Sequence, residues 1–216
     1  MRNGRLIVSK SWRSSELRET PEQARVINEF LQVPGDGLIE AKQSTISDNL
    51  PEGAVVILFT DIVESTALTE RLGDAAFRVR ARELDGALRT LVREAGGTPV
   101  EGTLLGDGLL AVFTSARQAI DCALRCNAAA EAAGLQLHLG LHAGDVLREG
   151  NNVYGGAVNI AARIMGLTTP GQVLVSDTVR SLARTSAGVT FDDQGEQALK
   201  GIADPVRVFE VHAQAS

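Results

Sequence analysis

The chain has 216 residues, with 21 Lys+Arg against 27 Asp+Glu and a net charge of -6. That length suits one domain with a short appendage, and a 44% hydrophobic content suits a chain that folds around a core. The longest apolar run, Ala54 to Phe59, is far short of the roughly 20 residues of a membrane span, and no signal-peptide h-region is visible, so membrane insertion is not expected. The acidic balance argues against a nucleic-acid-coating surface. Lysine is scarce: from Pro51 onward, thirteen of fourteen cationic residues are Arg, and the exception is Lys200.

Residues 1–50 form a distinct N-terminal segment. Thr20-Pro21-Glu22-Gln23 reads as a helix start, and Ala24, Ile27 and Leu31, with Val26 and Phe30, supply an apolar stripe that ends at Pro34-Gly35. The segment is expected to pack on the main domain, with a dimerising or regulatory role as the alternative. Residues 51–216 form the main domain. Ala54–Phe59 is a buried strand, followed by helix from Ser65 to Ala95 with a break near Gly73-Asp74. Thr98–Leu104 and Leu109–Phe113 are short strands around Gly106-Asp107-Gly108, a hairpin signal. An Ala-rich helix spans Ser115–Ala133. The alternation of Leu135, Leu137, Leu139 and Leu141 marks a strand to Val146. Gly155-Gly156 opens a helix to about Leu167. Val173–Val175 is a strand, Asp177–Ala183 a short helix, and the tail holds further strands to Val211. The order β-α-β-β-α-β predicts an α+β fold with a ferredoxin-like core and a C-terminal extension. Cys122 and Cys126, four apart on a helix, read as two small buried side chains in a reducing cytoplasm. His142, on an alternating strand, reads as a hydrogen-bonded structural residue, and Tyr154 as either a purine-pocket or a packing residue.

Three features carry chemistry. Asp61 ends a buried apolar strand, and Val63, Glu64, Ser65 and Thr66 lead into a helix whose free N–H groups suit a phosphate. Asp107 sits in the hairpin turn. In a βαββαβ sheet the first strand adjoins the hairpin strand, so Asp61 and Asp107 converge as a pair able to hold Mg²⁺ beside a phosphate. Asn159 and Arg163, four apart behind a Gly pair, share a helix face suited to a ribose or a polyphosphate, or else form a solvated polar face.

These segments resemble the catalytic domain of class III nucleotide cyclases. FTDIVEST (59–66), GDGLLAVF (106–113), GLHAG (140–144), GGAVNIAAR (155–163) and LKG (199–201) occur in the family's order with family-like spacing. The diguanylate cyclase signature is absent. The resemblance implies a head-to-tail homodimer with nucleotide sites at the interface and two divalent cations, Mg²⁺ or Mn²⁺, in each. It implies that Asp61, Asp107 and the Ile62 carbonyl bind metal, that Asn159 orients the ribose, that Arg163 stabilises the transferring phosphate, and that Lys200 meets the terminal phosphates. At the family's adenine-selecting positions this chain has Thr103 and Asn152, both uncharged. If the preceding loop bulges, Glu101 takes the first of these positions, as in guanylyl cyclases. The implied activity is conversion of ATP to 3′,5′-cyclic AMP and pyrophosphate. A guanylyl or dual-specificity cyclase and a catalytically silent dimerisation or sensor module are the alternatives.

Overall fold

The computed structural model describes residues 50–51, 53–100, 108–186 and 188–214. The expected N-terminal helix and the candidate residues Glu101, Thr103 and Asp107 lie outside the described residues. The elements in chain order are β1 (Gly53–Ile62), α1 (Ser65–Leu72), α2 (Asp74–Glu94), β2 (Thr98–Val100), β3 (Leu109–Phe113), α3 (Ala116–Ala132), β4 (Leu137–Glu149), β5 (Asn152–Tyr154), α4 (Gly156–Met165), β6 (Val173–Ser176), α5 (Asp177–Ala183), β7 (Val189–Gln197) and β8 (Val206–Ala213). The sheet order is β2-β3-β1-β4-β6-β8-β7, and β5 pairs with the far end of β4. Strand β1 is antiparallel to both β3 and β4, and β3 to β2. This is the expected ferredoxin-like core. The crossover from β4 through α4 to the parallel strand β6 begins the expected extension.

Two differences from the sequence reading concern the site. Strand β1 continues past Phe59, because β4 pairs with it as far as Ile62 opposite Leu137. Asp61 therefore stands at the strand's end, as expected, and is itself paired, opposite His138. The short strand β5 has no counterpart in the sequence pattern; only three residues pair, and their partners are Leu147–Glu149 of β4.

Period-two alternation divides the sheet between two faces. Val56, Leu58 and Ile62 of β1, with Leu137, Leu139 and Leu141 of β4, pack under α2 and α3. Phe77, Ala81, Leu84, Leu88 and Val92 form the buried stripe of α2. The small side chains of α3, Ala119, Ala123, Cys122 and Cys126 among them, let that helix lie close to the sheet. Both thiols are free and fully buried, with their sulfurs 3.8 Å apart. The other face carries Val55, Ile57 and Phe59, covered by Ala157, Val158, Ala161, Ala162 and Met165 of α4.

Two glycines of β4 fix how α4 lies. A Cβ on Gly140 would stand 2.2 Å from the Met165 backbone nitrogen, and one on Gly144 would stand 2.8 Å from the Ala157 Cβ. Four strand residues span about 13 Å, and eight helical residues about 12 Å. The G-x-x-x-G spacing therefore matches the two ends of the helix, which runs antiparallel to β4 and parallel to β1.

Candidate active site

Asp61 is buried to 5% near the end of β1, on the sheet face that α4 covers. Thr60 pairs with Leu109, so the Gly108 end of β3 arrives beside Asp61. Ile62 ends the strand. The Val63 N–H then donates to the Gln136 carbonyl at 3.0 Å, and Glu64 turns the chain into α1. Glu64 takes φ 51° and ψ 41°, and among the described residues it is the one non-glycine at positive φ. That conformation costs about 1–3 kcal/mol and gathers at functional turns. The Glu64 side chain makes no cap hydrogen bond and the first turn of α1 holds no acidic residue. Ser65 and Thr66 open the helix, as expected.

Helix α4 carries Asn159 and Arg163 one turn apart. Asn159 is half-buried, but Arg163 is 3% exposed. The alternative of a solvated polar face therefore fails for Arg163. Its neighbour Ile164 packs with Leu167, Leu174, Val208 and Leu199. Leu199 is 4% exposed and anchors the β7–β8 connection beside the end of α4. The turn from Leu199 to Ile202 closes with a 3.0 Å backbone hydrogen bond, and Gly201 takes φ 80°. Lys200 is left exposed at the tip of that turn.

Asn152 and Tyr154 sit on β5. The Val153 N–H donates to Asn152 Oδ1 at 2.9 Å, which fixes the orientation of the carboxamide. Nδ2 then donates to the Tyr154 hydroxyl at 3.1 Å. The sequence offered no sign of this pairing.

Asp61 and the Ile62 carbonyl are hard oxygen donors of the kind Mg²⁺ and Mn²⁺ prefer. Among the described residues no three His, Cys, Asp or Glu side chains gather as a metal-binding group. The described donors thus fit part of a divalent-cation site, and Asp107 would be needed to extend it. A cavity of about 460 Å³ lies at the opposite end of β1, lined by Val56, Ser115, Arg117, Thr178 and Leu182 among others. It is separate from the Asp61 end of the strand.

His142 serves structure. Its Nδ1 is 2.9 Å from Ser176 Oγ, the N-cap of α5, and burial pushes its pKa down to about 4. The folded state therefore resists a proton that the unfolded chain accepts near 6.5. Its contribution is complete above pH 6.5, is lost as pH falls from 6.5 toward 4, and changes no further below that. Wild type should lose about 2 kcal/mol through this group between pH 7 and pH 5. Urea unfolding of His142→Asn at the two pH values should show a drop smaller by that amount. An equal drop in both proteins would remove His142 from the acid limb.

A central antiparallel strand ending in a buried acid, overlain by a helix with Asn and Arg on one face, is the architecture of a class III nucleotide cyclase catalytic domain. The family model described as the adenylate and guanylate cyclase catalytic domain matches residues 48–213, and the chain belongs to that family. A putative adenylate cyclase 3 of Rhizobium meliloti is 31% identical over 161 residues, covering 71% of this chain and 27% of that protein. The structure titled adenylate/guanylate cyclase/hydrolase from Silicibacter pomeroyi is 31% identical, with a TM-score of 0.63 over 75% of this chain and 98% of that one. The adenylyl cyclase CyaB from P. aeruginosa shares the fold at 19% identity and a TM-score of 0.68, over 76% of this chain and 96% of that one. The chain spans 44%, 27% and 56% of the length of three curated relatives it matches. Among the described residues no helix is long and apolar enough to cross a membrane.

Proposed function

We propose that the chain is an adenylyl cyclase, converting ATP to 3′,5′-cyclic AMP and pyrophosphate as a head-to-tail homodimer. The observation that carries this reading is the placement of Asp61 at the buried end of β1, on the face spanned by the Asn159–Arg163 helix. The two free thiols fit a reducing compartment, the cytoplasm.

Asp61, Asp107 and the Ile62 carbonyl would hold two divalent cations, Mg²⁺ or Mn²⁺. Such cations, when bound, lower the pKa of the attacking ribose 3′-hydroxyl and neutralise charge on the polyphosphate. The chain's own groups do the rest. The Val63 N–H, expected to face a phosphate, is committed to the Gln136 carbonyl, so the N–H groups of Glu64, Ser65 and Thr66 are the ones that would donate to phosphate oxygens. Asn159 hydrogen-bonds the ribose and aligns its 3′-oxygen with the α-phosphorus. Arg163 meets charge that grows on the α-phosphate as pyrophosphate leaves. Lys200 provides a compact cation for the terminal phosphates, its exposure suiting a contact made across the dimer.

Thr103 and Asn152 would face the purine. Asn152 and Tyr154 are linked neutral groups, each able to donate and to accept. Uncharged Thr103 and Asn152 discriminate less between a 6-amino and a 6-oxo purine than a charged pair; Glu101, were it to take the place of Thr103, would accept from guanine N1–H and N2–H and give the guanylyl or dual-specificity alternative. The test is purified protein with Mn²⁺ or Mg²⁺ and ATP or GTP, scored for cyclic product. Cyclic AMP above cyclic GMP is expected. The reverse order would assign the guanylyl reading, and no product with either nucleotide would leave a silent module.

Arg163→Ala should retain nucleotide binding and lose about 100-fold in kcat. Steady-state kinetics with KM changed less than about threefold would agree. A large rise in KM at constant kcat would assign Arg163 to ground-state binding.

A further inference from the structure

After α4 the chain runs on toward the start of β4, to the level of Asp61. Thr168, 4% exposed, donates its hydroxyl proton to the Met165 carbonyl at 2.7 Å. A carbonyl only accepts, so that proton is committed. The 3.0 Å contact between Thr168 Oγ1 and His138 Nδ1 therefore needs its hydrogen on Nδ1 of the imidazole. His138 is 6% exposed and stands directly opposite Asp61 in the β1–β4 pair. Opposed residues of an antiparallel pair share a face, with Cβ atoms about 4.5–5.5 Å apart. One buried ring thus stands beside the carboxylate of β1 and grips the exit of the helix that bears Asn159 and Arg163.

We propose that His138 is a positioning residue: through Thr168 it pins the end of α4 to the strand position that carries Asp61. The proposal rests on the reading of Asp61, Asn159 and Arg163 given above. Neither His138 nor Thr168 belongs to the motifs that carry the family resemblance. In a head-to-tail dimer Asp61 serves one site while Arg163 of the same protomer serves the other. The His138–Thr168 bond then ties the two sites together through one chain. Loosening it lets α4 shift against β1 while every nucleotide-contacting group remains.

The test uses the full chain with Thr168→Val, His138→Leu and His138→Asn, the last retaining a donor where Nδ1 stands. Thr168→Val and His138→Leu should each lower kcat about tenfold with KM for nucleotide within about twofold. His138→Asn should recover most of the loss, and the double variant His138→Leu/Thr168→Val should be no worse than His138→Leu. Hydrogen exchange, read without substrate, should quicken about tenfold at the end of α4 and stay unchanged in α3. Wild-type kcat in Thr168→Val would overturn the proposal. So would equal acceleration of exchange in α3, or His138→Asn no better than His138→Leu. Failure of the cyclase reading looks different: wild type yields no cyclic product, and the exchange pattern still decides whether the link holds α4.

Discussion

Asp61→Asn should abolish cyclase activity, by at least about a thousandfold, in a protein that still folds and dimerises. The substitution keeps the shape of the side chain and removes its charge. At a position 5% exposed, that charge is the feature a divalent cation would require. A thousandfold loss corresponds to about 4 kcal/mol of transition-state stabilisation, within the several kcal/mol that metal ions supply in phosphoryl chemistry. Cyclic-product assays across a Mn²⁺ titration check it, with circular dichroism as the control for folding. Full activity in Asp61→Asn would remove the carboxylate from the metal set.

Gly140→Ala should destabilise the domain by about 3 kcal/mol and lower activity with it. The added Cβ would stand 2.2 Å from the Met165 nitrogen and 2.5 Å from its Cα. Both are backbone atoms, so no side chain can swing aside; α4 itself must lift from β4. Overpacking of this kind costs about 1–3 kcal/mol and occasionally more. For a domain of this size the melting temperature should fall by about 6–12 °C. Gly156→Ala is the control, since nothing lies within 4 Å of a Cβ there and the position opens a helix. It should change stability by less than about 0.5 kcal/mol. Equal melting temperatures for Gly140→Ala and wild type would show that α4 is not seated through that glycine.

The core topology was legible because its signals are local. The apolar run at 54–59, the leucine alternation and the Gly punctuation give strand and helix positions, and short connections leave few ways to join them. What was not legible depends on pairing between distant segments. Strand β1 extends past Phe59 to Ile62 because β4 supplies partners to its very end. Strand β5 exists because Asn152–Tyr154 meets Leu147–Glu149, and three residues leave too faint a pattern to read. Arg163 offered a choice between a working group and a solvated face. Its burial comes from a helix packed on the sheet on one side and beside Ile164 and Leu199 on another, which helical spacing alone does not reveal. His138 is one polar position of the alternating strand; its register opposite Asp61 and its bond to Thr168 appear only in three dimensions.

The scarcity of lysine takes a clearer meaning in the fold. Lys200 stands exposed on a turn whose preceding residue, Leu199, is locked against the end of α4. A compact cation is thereby held in the exposed turn that follows a residue packed against Ile164 of α4.

The central claim is that each active site is shared between two copies of this chain, and mixing inactive variants tests it most directly. Asp61→Asn would lack the metal half of both its sites, and Arg163→Ala the phosphate half. When the two are co-refolded in equal amounts, half of the dimers combine them, and each such dimer holds one intact site. About a quarter of wild-type activity should return. A mixture no more active than the sum of its two components, with mixed dimers confirmed by mass spectrometry, would contradict the shared-site account.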